Sequence, residues 1–138
     1  MKNWLGHDIV VGAVVFRGGR QGDSSSFRVG VVDDLDTSKD REARVDWKFE
    51  AGWRTIWFGE SAWERDKRNY RVRGPHKSTT QRTRYEINDL VRLEDGLIDY
   101  LTQRDKLCTA AQHYGILRED FKRFEEDFNA GRVPEIMP

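Results

Sequence analysis

The sequence predicts an α+β protein, with an antiparallel β body over residues 1–95 and a helical hairpin over residues 96–138. Three observations carry this prediction. Up to residue 94 the apolar residues fall in short runs, several of them alternating with polar ones, which is the period of a half-buried strand. After Asp95-Gly96, Leu97, Leu101, Cys108 and Ala111 recur at helical spacing. Leu117, Phe121, Phe124 and Phe128 then form one helical stripe that Gly131 and Pro134 stop.

The elements follow in order. Residues 8–17 (DIVVGAVVFR) are rich in β-branched side chains and predict the first strand. The Gly and Ser cluster RGGRQGDSSS predicts a hairpin loop. Phe27, Val29 and Val31 alternate with Arg28 and Gly30, giving a second strand that ends at the acidic turn DDLDTSKD. In residues 43–49, Val45, Trp47 and Phe49 share one face and Arg44, Asp46 and Lys48 the other. Glu50-Ala51-Gly52 reads as a tight turn into a further strand, WRTIWF (53–58). Residues 59–84 read as an inserted basic arm, in which Tyr70 and Val72 add a short strand that Gly74-Pro75 breaks. YEINDLVRLE (85–94) supplies the closing strand, and Gly115 sits where a left-handed helix cap belongs.

The opening Val10-Val11-Gly12-Ala13-Val14-Val15, the runs FRVGVVDDLD and ARVDWKF, and the closing NDLVRLE together resemble the small SH3-like barrels, in particular their Tudor and KOW-type members. The resemblance covers residues 7–94 and implies a five-stranded antiparallel barrel whose ligands sit against aromatic side chains. The basic insertion and the helical tail depart from that pattern. In style, a short, Arg-rich chain of this kind also resembles the accessory proteins of bacteriophages and bacterial mobile elements.

Composition narrows the function classes. Of 138 residues, 35% are charged, yet five Trp, seven Phe and four Tyr supply the bulky apolar area that a disordered chain lacks. The formal net charge of zero conceals segregation: residues 65–84 carry eight basic side chains and one acidic, against seven basic and twelve acidic in residues 85–138. One cysteine, Cys108, excludes an internal disulfide, and the N-terminal apolar stretch is too broken for a signal peptide or a membrane span. A cytoplasmic location follows as the expectation, the host cytoplasm for a phage-encoded chain, with no membrane partner.

Catalysis and cofactors find no foothold. His7, His76 and His113 are isolated and Cys108 has no companion at ligand spacing, so no metal site is expected. In the Asp34–Asp40 loop, Lys39 replaces the glycine and Val45 the bidentate Glu of a calcium loop. Gly18–Gly22 lacks the following helix that a phosphate loop requires. Ser24, Ser25 and Ser26 lack a nucleophile elbow. The expectation is a non-enzymatic protein with no catalytic residues and no cofactor.

Binding residues are more visible. Arg65, Lys67, Arg68, Arg71, Arg73, Lys77, Arg82 and Arg84 interleave with Tyr70, His76 and Tyr85, a pairing of cations and rings that suits nucleic acid. The competing reading is a solvated loop, or an arm that clasps the acidic tail. Trp47 and one of Trp53 or Trp57 are expected to fill the core, leaving Trp57 and Trp63 as candidate contacts, or as an aromatic cage with Glu60 or Glu64. The second helix is acidic, so a DNA-reading helix-turn-helix is disfavoured. Its Phe121/Phe124/Phe128 stripe is expected to pack on the β body or on a second copy of the chain. The expected function is an accessory binding or adaptor protein that holds another protein. Nucleic-acid binding by residues 65–84 is the alternative, and a self-assembling structural component is a third.

Overall fold

A computed structural model describes residues 1–21, 24–59 and 66–136, leaving aside the side chains of residues 20, 21 and 24–26. The fold is α+β, an open antiparallel sheet followed by two helices. Its strands are β1 (Val14–Gln21), β2 (Ser24–Leu35), β3 (Ala43–Ile56), β4 (Tyr70–Lys77), β5 (Thr83–Tyr85) and β6 (Val91–Arg92). Helices α1 (Leu97–Tyr114) and α2 (Phe121–Asn129) follow. The sheet runs β4-β3-β2-β1-β6, and β5 pairs with the start of β3. Among the described residues no helix is long and apolar enough to cross a membrane.

Several boundaries differ from the expected ones. Residues 17–21 and 24–26 of the Gly and Ser cluster are ladder, Gly18 pairing with Phe27 and Gln21 with Ser24, while Gly22 and Asp23 of the expected loop lie outside the described residues. Residues 8–13 are irregular instead of extended, and Gly12 has a φ of 92°. No turn interrupts residues 50–52: β3 is one strand of 14 residues, and Gly52 is not among the glycines with positive φ. Nor does Gly74-Pro75 end β4. That strand lies at the end of the sheet order, and an edge strand tolerates a residue with no N–H to donate. The expected closing strand is divided by a 3₁₀ turn at Ile87–Asp89.

The chain forms two compact units. The first comprises Met1–Ala51 and His76–Leu101. Its core gathers Ile9, Val15, Val32, Val45, Trp47 and Leu90, so the alternation of residues 43–49 is realised as read. Gly30 sits where a Cβ would lie 2.5 Å from the Asp46 carbonyl, at a β-bulge opposite Trp47. Buried Asn3 donates to the Leu90 carbonyl at 2.8 Å and accepts from the Leu5 and His7 amides, tying the N-terminal turn to the 3₁₀ segment.

The second unit comprises Gly52–Pro75 and Thr102–Pro138. Ile56, Tyr70 and Ala111 form its buried centre, with Phe58, Val72, Ile116, Phe121 and Phe124 packed around them. Thus Phe121 and Phe124 of the aromatic stripe pack against residues of their own chain. Both helices end as their glycines foretell. Gly115 has a φ of 61° while the Ile116 amide donates to Ala111, and Gly131 has a φ of 74° while the Arg132 amide donates to Asp127; each is a Schellman stop.

Candidate functional site

The candidate site lies within the second unit, on the outward face of the end of β3 and the start of β4. Period two puts Trp53, Thr55 and Trp57 on one face and Arg54 and Ile56 on the other. Ile56 is buried, whereas Trp53 is 48% exposed and Trp57 36%. The expectation that one of these two indoles fills the core is therefore corrected: of the pair, neither does, while Trp47, 4% exposed, is in the core as expected. Arg54 takes the inward position because it is matched there. Its guanidinium pairs with Asp105 and donates to the Pro75 carbonyl at 3.0 Å.

Arginines from β4 complete the face. Arg71 and Arg73, two residues apart, both reach over the Trp53 ring, with guanidinium carbons 5.5 and 4.9 Å from its centroid. Arg104 holds the Arg73 carbonyl at 3.0 Å and pairs with Glu125 at 3.0 Å. Beyond the end of β3 the chain is fixed by side-chain amides. Gln112 accepts from the Trp57 amide at 2.6 Å and donates to its carbonyl at 2.9 Å, taking the place of a neighbouring strand. Asn69 accepts from the Phe58 amide at 2.8 Å.

These residues enclose an open groove of about 500 Å³, lined by Trp53, Thr55, Trp57, Asn69, Arg71 and Arg118, with Tyr70 at its floor. A smaller cleft of about 270 Å³ shares Asn69, Tyr70 and Arg118 and adds Lys67, Arg68, Leu117 and Glu119. The surroundings are cationic. Lys67, Arg71, Arg73 and Arg118 make no ion pair with a carboxylate among the described residues. Arg68 is spoken for: it clasps Asp66 at 2.8 Å and lies over the Phe58 ring. The hydrogen bonds from the Arg68 side chain and backbone hold the Asp66 carboxyl down at about 2.

The sequence-predicted binding residues thus separate into groups. Trp57, Lys67, Arg71 and Arg73 are exposed in this unit. Tyr70 is buried, and its hydroxyl donates to the Ile116 carbonyl at 2.6 Å, so its ring is not offered for stacking. Burial, with the Cys108, Asp120 and Glu119 charges, pushes its phenol up to about 12. Lys77, Arg82 and Arg84 belong to the first unit. There Arg84 pairs with Asp34 at 2.7 Å and donates to the Arg41 and Glu42 carbonyls, and Arg82 lies 3.4 Å from Asp33 and 3.6 Å from Asp46. Arg65 and Trp63, with the acids Glu60 and Glu64 of the supposed cage, lie outside the described residues.

Sequence reasoning missed Trp53, Thr55, Asn69, Gln112 and Arg118 as site residues. Parity within WRTIWF held the signal for the first two, but Arg54 at an inward position disguised it. Cys108 is buried against Gly74, whose Cβ would meet the sulfur at 3.1 Å, and burial raises its thiol pKa. Among the described residues no cluster of His, Cys, Asp or Glu is arranged to hold a metal ion. Comparison with protein-family models, with curated proteins and with solved structures finds no match for this chain.

Proposed function

We propose that this chain is a non-enzymatic binding protein and that the partner held on its Trp53–Trp57 face is single-stranded nucleic acid. One observation carries the reading: Trp53 is exposed yet kept in place under Arg71 and Arg73, in a groove whose other cation, Arg118, makes no ion pair with a carboxylate among the described residues. An indole offers a π-face to any unpaired base, worth about 1–3 kcal/mol per base, while free guanidiniums neutralise phosphates. Trp53 and Trp57 are four strand residues apart, so the two platforms stand about 13 Å from each other along the strand. A cationic ligand of the kind that an aromatic cage selects would meet three arginines here. A protein interface would place less charge at its centre.

Fluorescence anisotropy of a labelled oligothymidylate over a salt series tests the reading. Three phosphate contacts predict a log–log slope of about −2. Trp53→Ala is expected to weaken binding roughly tenfold to a hundredfold, with little change in Tm. Absence of binding at low salt, or equal competition by a duplex, would overturn it.

A protein-binding adaptor is the second reading, favoured by a different observation in the first unit. Trp4 is 72% exposed while its indole N–H donates to the Asn88 carbonyl at 3.0 Å, and Met1 and Leu5 beside it are also exposed. We also propose that the β body belongs to the SH3-like, Tudor and KOW-type class and that the chain is an accessory protein of phage or mobile-element style. Support for the first point is that β6 returns to pair with β1 while β5 pairs with β3, an arrangement that curls a small sheet toward closure.

A further inference from the structure

Resting on the nucleic-acid reading above, we infer that the groove and the smaller cleft form one track, in which bases stack at the Trp53–Trp57 end and the sugar-phosphate backbone continues past Arg118 to Lys67. The two cavities share Asn69, Tyr70 and Arg118 in their linings, so they adjoin each other on this unit. Their linings differ in kind. The groove holds the exposed indoles of Trp53 and Trp57, whereas the only ring lining the cleft among the described residues is Tyr70, buried and with its hydroxyl committed to Ile116. Among the described residues the cleft therefore offers no exposed aromatic ring for a base to stack on.

What it does offer is charge. Lys67 and Arg118 are exposed and make no ion pair with a carboxylate among the described residues. Arg68 is neutralised by Asp66, and Glu119 is the one carboxylate in the lining among the described residues. The acid disfavours a second phosphate deep in the cleft, so one phosphate between Lys67 and Arg118 is the occupancy this balance supports. Arg118 opens the 3₁₀ turn Arg118–Asp120 that leads into α2, which puts the shared cation on a regular element instead of a loop tip. Lys67, in the turn before β4, lines the cleft and not the groove, and unlike Arg68 it makes no ion pair with a carboxylate among the described residues.

The test compares a short oligothymidylate of about three nucleotides with a long one of about twelve, in the range of single-strand site sizes, for wild type, Lys67→Ala and Trp53→Ala. Trp53→Ala is expected to weaken both. Lys67→Ala is expected to weaken only the long oligomer, on the order of fivefold, and to reduce its salt slope by about 0.7, with Tm unchanged. If Lys67→Ala affects both lengths alike, or neither, the strand does not reach the cleft and this inference is wrong while the binding face stands. If no oligomer of either length binds wild type at low salt, both the track and the function proposed above are wrong.

Discussion

Residue identity at a few positions decides what the second unit presents. Arg54 and Arg71 are the same side chain seventeen positions apart, yet one is folded inward onto Asp105 and the other lies over Trp53 in the open. What separates them is the availability of a carboxylate at the right depth, since a buried guanidinium without one is costly. Tyr70 illustrates the same dependence on surroundings. In a sequence it is a ring among arginines, and in the fold it is a buried hydrogen-bond donor. Its phenol, normally near 10, is pushed up to about 12 by burial. A group that holds its proton more tightly when folded contributes fully below pH 10, and that contribution is lost as pH rises from 10 toward 12. Ultraviolet titration should thus show a late phenolate phase from Tyr70. Tyr70→Phe should abolish that late phase and lower stability by about 1–2 kcal/mol through the lost bond to Ile116. A titration curve unchanged by the substitution would contradict the assigned environment.

Elements were legible where a single period governs them and obscured where two neighbours share a strand. The face of Val45, Trp47 and Phe49 and the stops at Gly115 and Gly131 follow from local rules, because period and cap chemistry are properties of consecutive residues. The continuation of β3 through Glu50-Ala51-Gly52 does not. There β3 runs from one compact unit into the other, and strand pairing overrides the local preference of glycine for turns. Pro75 misleads for a related reason, since its tolerance depends on an edge position that only the strand order reveals. Gly74 beside it is required by packing. A Cβ there would lie 3.1 Å from both the Cys108 sulfur and the Arg54 Cγ. Gly74→Ala should cost on the order of 1 kcal/mol, the overpacking exceeding the gain from a stiffer unfolded chain. The cost should shrink in a Cys108→Ala background, a coupling that chemical denaturation of the four variants measures. Additive effects would show that the two sites do not touch.

Across the whole chain, net charge is a poor guide to function because it sums over pairs that cancel within the fold. The basic stretch 65–84 reads as one arm, but its cations have different fates. Arg82 and Arg84 are neutralised by Asp33, Asp34 and Asp46 in the first unit, Arg68 by Asp66 in the second, and Lys67, Arg71 and Arg73 are left without carboxylates among the described residues. Sequence alone places all of them at one rank, since ion pairing is decided by distant partners. Those left over, with Trp53, Trp57 and Arg118, form the face proposed above to bind nucleic acid, and salt should weaken that binding by screening and counterion competition. The most direct test follows the indole N–H resonances of the five tryptophans by NMR while unlabelled oligothymidylate is added at low salt. The Trp53 and Trp57 signals should shift and the Trp4 and Trp47 signals should stay. Shifts confined to Trp4, or none at Trp53 and Trp57 at saturating oligonucleotide, would contradict the account.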